Sequence, residues 1–193
     1  MKKMFLFVCV LVLSAAMVST MNAQSKMNLG VGVDVLLPMG TFGDQNNLGF
    51  GGTAQFQMEF TPMFTGGVEA GYFTWGGKEI EGFSYSFHTI PIRVFGKYFF
   101  QPKGGFRPYV MAGLGLSFYS QSLPSITIGG FGTVGGGSVT GSNLNIYPAV
   151  GFEYPLSPKL NLDVNAKYDI ILATGGSFSN VAFRAGVNFP IGS

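Results

Sequence analysis

The chain has 193 residues, of which 10% are charged, against about 25% in ordinary soluble domains, while 47% are hydrophobic and 15% aromatic. Eleven Lys and Arg stand against nine Asp and Glu, a balance that gives no electrostatic case for nucleic acid as a partner. So few charges cannot clothe a water-facing surface, which points to an outer surface that faces something else.

The N-terminus reads as an export signal. A basic head, Lys2 and Lys3, precedes the apolar run 4–18 and a polar exit, with cleavage expected between Ala23 and Gln24. Met21 is an unusual residue so close to that junction. The apolar run falls short of the ~20 residues of a helical span, so removal is favoured over a retained membrane helix. The only cysteine, Cys9, lies inside the run rather than at the cleavage point, so it is no lipid attachment site and leaves with the signal. The remainder, 24–193, is enough for one domain and carries nine basic and nine acidic residues.

Along that remainder, residues alternate between apolar and polar in eight stretches: 26–38, 48–60, 64–75, 85–100, 107–119, 142–154, 160–170 and 180–189. In the first, Leu29, Val31, Val33 and Val35 alternate with Gly30, Gly32 and Asp34. The fourth contains "IPIRVFGKYFF", whose apolar block carries Arg93 and Lys97 at the polar parity. Connections after stretches two, four and six are short. Those after one, three, five and seven are long and rich in Gly, Ser and Asn, above all 120–141. Short turns at one end and long loops at the other, with both termini at the short-turn end, predict an all-β fold. The architecture expected is a transmembrane eight-stranded antiparallel up-and-down β-barrel. Pro91 and Pro148 fall inside strand patterns and demand either a bulge or a gap in the ladder, whereas Pro108 suits a strand start.

Charge decides which face is outside. Asp34, Glu59, Glu69, Arg93, Lys97, Glu153, Asp163, Lys167, Asp169 and Arg184 all sit at the polar parity. A Lys or Arg facing lipid at mid-membrane costs ~2–4 kcal/mol, so a charge-free apolar face suits lipid better than the inside of a soluble ligand-binding barrel. Aromatics toward the strand ends (Phe60, Phe64, Tyr98, Phe100, Phe118, Tyr154, Tyr168 and Phe189) suit interfacial girdles. An eight-stranded barrel has an interior that side chains can fill. The expectation is an ion-paired plug in which Glu59, Glu69 and Glu153 partner Arg93, Lys97 and Arg184.

With these features the chain resembles the eight-stranded outer-membrane β-barrel family (OmpA/OmpX-like), especially the compact barrels of Bacteroidota. The resemblance rests on the signal ending "NAQ", on "IPIRVFGKYFF", "RPYVMAGLGLSFY" and the closing strand. It implies an integral, monomeric outer-membrane protein whose partners are outer-membrane lipid and the outer-membrane assembly machinery. Within "RAGVNFPI", Arg184, Gly186, Phe189 and Ile191 stand where the family's assembly signal lies, although the chain continues to Ser193. The peptidoglycan-binding domain of larger members is not expected here.

Catalytic readings are weak. His88, the sole histidine, lies near Ser84, Ser86 and Thr89, but the His-x-Ser-Asn pattern of outer-membrane lipid deacylases does not occur, and an interfacial histidine explains it equally. "GGFGTVGGG" lacks the Lys-Ser/Thr ending of a phosphate loop and reads as a flexible exposed loop. No metal-ligand spacing is present, and no cofactor is expected. The function expected is structural or loop-mediated, without enzymatic activity. The alternatives are a narrow channel for small solutes and a lipid-modifying enzyme.

Overall fold

The computed structural model describes residues 26–77, 86–101, 104–128, 132–173 and 176–191. The expected signal segment with its cleavage point at Ala23 and Gln24 lies outside these, as does Ser84. Eight strands follow one another around a closed ring. They are β1 (Met27–Met39), β2 (Asn46–Thr61), β3 (Phe64–Gly77), β4 (Ser86–Phe99), β5 (Arg107–Ile128), β6 (Gly132–Ser157), β7 (Leu160–Ala173) and β8 (Gly176–Ile191). Each pairs antiparallel with its neighbour, and β1 closes the ring on β8, from Met27 opposite Ile191 to Met39 opposite Ser179. Closure leaves no sheet edge within the ring, so every strand there finds ladder partners on both sides.

Alternation does what its period requires. In β4, Ile90, Ile92, Val94 and Tyr98 are exposed on the outside, while Pro91, Arg93, Phe95, Lys97 and Phe99 are buried inside. Outer aromatics pack on each other near the turn end: Phe60 with Phe64, Tyr98 with Phe100, and Phe106 with Phe152, at centroid distances of 5.9, 5.7 and 5.0 Å. Inside, the abundant glycines have a specific use. Gly49, Gly113 and Gly141 lie directly opposite Trp75, Tyr147 and Tyr119. At each, a Cβ would fall within 2.6 Å of the facing ring. The rings lie flat over the bare backbone of the next strand, which both fills the narrow lumen and shields the glycine.

Both internal prolines resolve as gaps in the ladder. The β3–β4 register runs unchanged from Ala70 opposite Ile92 to Phe73 opposite Thr89, with the bridges beside Pro91 missing. The β6–β7 register likewise skips the Tyr147–Pro148 step and resumes without a shift. On their other sides Pro91 and Pro148 stay paired, with Ser117 and Ala112. A proline has no N–H, so it can serve one neighbour through its carbonyl while the other side loses a bond.

Three connections differ from expectation. The β1–β2 loop folds into a short helix, α1 (Gly40–Gln45), entered through Gly40 at φ +58°, and it places Phe42 in the barrel mouth. The region 120–141, read as a long flexible loop, instead continues the β5–β6 ladder out to Ile128 opposite Gly132. Ile126, Thr127 and Ile128 on one arm, facing Val134, Thr133 and Gly132 on the other, carry enough strand propensity to propagate an existing ladder. Likewise β7 and β8 meet at Ala173 opposite Gly176, leaving only 174–175 between them. Among the described residues, the asymmetry between the two ends resides chiefly in a projecting hairpin.

Candidate functional site: the barrel interior

Inward parity delivers charged side chains from seven strands to the lumen, β2 adds amides, and β5 adds a phenol as well. Two linked clusters result. Nearer the loops, Arg93 bridges Glu69 on β3 and Asp169 on β7, and donates to Asn145 at 3.1 Å. Its guanidinium lies 4.4 Å from the centroid of the Tyr147 ring, an attraction a desolvated site strengthens. Lys167 reaches Glu69 at 2.8 Å and stands 3.9 Å from Asp34, which accepts a hydrogen bond from Thr53. Gln55 donates to Glu69 at 2.5 Å.

Nearer the turns, Lys97 sits between Glu153 at 2.9 Å and Asp163 at 3.0 Å. Asp163 also takes Arg184 at 3.3 Å and the Tyr109 hydroxyl at 2.5 Å. Arg107, half-buried at the turn end, approaches Glu153 at 3.6 Å and stacks 4.1 Å from the Phe99 centroid. Gln57 joins the clusters by donating to Gln55 at 2.9 Å and to Asn188 at 3.2 Å. Asn188 in turn donates to Glu153 and Asp163 at 3.0 and 3.2 Å.

Five carboxylates (Asp34, Glu69, Glu153, Asp163, Asp169) thus meet five cations (Arg93, Lys97, Arg107, Lys167, Arg184), and the network is neutral. Neutrality matters because an unpaired charge in such a space costs several kcal/mol. Of the residues singled out from sequence, Glu69, Arg93, Lys97, Glu153 and Arg184 come together here. Glu59 does not: it is half-buried, one pair from the β2–β3 turn, and forms no ion pair among the described residues. Arg107 was missed, although it shares the parity of Tyr109.

One aromatic layer caps the ionic network on the loop side, and a second aromatic cluster is interleaved with the charges. Toward the loops, Phe42, Phe73, Trp75 and Phe87 pack with Leu36 and Ala182, Phe42 standing 5.7 Å from Trp75 and 5.4 Å from both Phe87 and Phe178. Phe95, Phe99, Tyr109, Met111, Tyr147 and Ala149 form the second, with Met111 opposite Lys97 and Ala149 opposite Lys167. These inward aromatics were not anticipated. The signal for them was their polar parity, which overrides the habit of assigning aromatics to the outside.

His88 belongs to neither layer. It faces outward near the loop end, its Nδ1 3.0 Å from the Tyr72 hydroxyl, with the two rings stacked at 5.9 Å. Among the described residues no group of His, Cys, Asp and Glu is arranged to hold a metal ion. At the C-terminal end of the ring, Phe189 and Ile191 face outward opposite Leu29 and Met27, while Arg184 points inward from the same strand and Gly186 faces Gly32.

Solved structures with this fold include Neisserial surface protein A, at 15% identity and TM-score 0.59, covering 86% of this chain and 97% of that one. The attachment invasion locus protein Ail of Yersinia pestis, in complex with the heparin analogue sucrose octasulfate, matches at 12% identity and TM-score 0.56, over 88% and 100% of the two chains. The outer membrane protease OmpT of Escherichia coli matches at 12% identity and TM-score 0.50, over 89% and 100%. At such identities the likeness concerns the fold alone. No curated protein matches the sequence. Residues 7–189 match the family described as the outer membrane protein beta-barrel domain. A closed eight-stranded ring with an apolar outside and a charged inside is the architecture that match demands, and the chain belongs to this family of integral outer-membrane proteins.

Proposed function

We propose that this protein is a non-enzymatic barrel with an occluded interior, which supports the outer membrane and presents its β5–β6 hairpin to partners outside the cell. The observation that carries this reading is the neutral network of ten charged side chains, capped on the loop side by an aromatic layer and packed among a second cluster of rings. Ions would have to break paired charges to pass, with no alternative partners offered along the way. Support for the hairpin role comes from its reach. The β4 partner ends where Ser86 meets Ser122, and the ladder continues six residues further, about 20 Å at ~3.3 Å per residue.

The protease OmpT shows that this fold can carry catalysis. Here His88 is engaged by a tyrosine on the outer face, and neither an acid nor a serine bonds to it among the described residues. Ail is described with a sulfated sugar analogue, and such a ligand calls for clustered cations. Among the described residues beyond the membrane-facing band at the loop end, the only formal charge is Asp44, so that ligand class is not carried over. For biogenesis, Arg184, Gly186, Phe189 and Ile191 act as the signal read by the assembly machinery. The chain works as a monomer in outer-membrane lipid.

Proteoliposome swelling separates this reading from a small-solute channel. Liposomes bearing the folded barrel are expected to swell in arabinose no faster than protein-free ones, and swelling that scales with protein would overturn occlusion. Mass spectrometry of lipid A after overexpression is expected to show an unaltered profile. A new acyl pattern would establish the lipid-modifying alternative.

A further inference from the structure

The mouth of the barrel holds a cavity of about 230 Å3, lined by Phe42, Gln45, Asn46, Ser86, Phe87, Gln121 and Phe178. It lies above the aromatic layer, between α1 and the starts of β2, β4 and β8. We propose that this cavity is a binding site for one uncharged sugar ring, a role separate from occlusion and from hairpin contacts.

Three features carry the assignment. Phe42, Phe87 and Phe178 supply apolar ring faces on one side, and a pyranose presents an apolar face of C–H groups that packs on such rings. Gln45, Ser86 and Gln121 supply amide and hydroxyl groups whose side chains make no hydrogen bond among the described residues. They offer donors and acceptors in the mixture that hydroxyl groups need. None of the described lining residues is charged, which favours an uncharged ligand over an ionic one. The volume lies below the ~300 Å3 at which drug-sized sites begin, which limits the occupant to a single ring. Asn46 is partly committed, since its Nδ2 donates to the Phe42 carbonyl at 3.0 Å and holds α1 in place.

The protein carries its own reporter. Trp75 is the sole tryptophan, 1% exposed, and its ring lies 5.7 Å from both Phe42 and Phe87. An occupant that shifts either phenylalanine alters the indole environment. Trp75 fluorescence of the full barrel in nanodiscs would be titrated with glucose, galactose, N-acetylglucosamine and glucuronate. A parallel arm would use nanodiscs containing lipopolysaccharide that bears neutral outer sugars. A saturable change with a free neutral sugar supports the site and a soluble ligand; a change with the glycolipid alone supports the site and a membrane-borne one. Gln121→Ala, on an exposed side chain, should weaken either response about fivefold, the loss of one neutral hydrogen bond. Retained heat-modifiable gel migration would show that the variant folds. No saturable change in either arm, a response to glucuronate alone, or a response indifferent to Gln121→Ala would overturn the proposal. None of these outcomes bears on solute swelling, so the two readings fail independently.

Discussion

Arg93 and Glu59 have similar origins in the sequence, each a charge at polar parity in an apolar strand, and opposite fates in the barrel. Arg93 is buried between Glu69 and Asp169, with a ring beneath it. Truncating it leaves Asp169 without its cation and Glu69 with Lys167 alone, a loss of the kind that costs ~3–5 kcal/mol. Arg93→Ala is therefore expected to lower unfolding stability by about that amount, measured by urea titration in lipid vesicles followed through Trp75. Glu59→Gln removes no ion pair and should change stability by less than about 0.5 kcal/mol in the same experiment. Equal effects from the two substitutions would refute the placement of the network. Parity made Arg93 and Lys97 legible as inward residues. It could not name their partners, because which inward residues share a level depends on the stagger between strands. Arg93 meets Asp169, 76 positions away, only through that stagger.

Strands were read from alternation, and alternation is local enough to survive in a single sequence. Where it was overruled, composition misled: Gly and Ser through 129–141 suggested a loop, while the hairpin ladder continues through most of that stretch. The pairing of glycines with aromatic rings was equally hidden, since Gly113 and Tyr147 become neighbours only when β5 and β6 register. That pairing gives a sharp test on the inner face. A Cβ at Gly113 would lie 2.4 Å from the Tyr147 ring, and the backbone of β5 leaves the ring no flat alternative. Gly113→Ala should cost ~1–3 kcal/mol by overpacking. On the outer face the same strand logic predicts a penalty of another origin. Val94 is 45% exposed at the middle of β4, and Val94→Arg should cost ~2–4 kcal/mol in a bilayer. In detergent the penalty should shrink, because a micelle deforms around a charge more easily. A Val94→Arg variant as stable as the parent in both media would argue that this face does not meet lipid.

Closing eight such strands into one ring turns these separate choices into a function. The outer face supplies lipid contact, the glycines let rings fill a narrow lumen, and the neutral ionic layer removes any electrostatic reason for an ion to enter. An aromatic layer caps the charged network on the loop side, and a second cluster of rings packs among the charges. Single-channel recording across a planar bilayer tests this arrangement most directly. The folded barrel, reconstituted in 1 M KCl at about 100 mV, is expected to give a flat trace indistinguishable from the bare membrane, with ion pairs intact despite a Debye length near 3 Å outside. Discrete, reproducible current steps that scale with salt concentration would contradict an occluded interior and show that the paired charges part to let ions through.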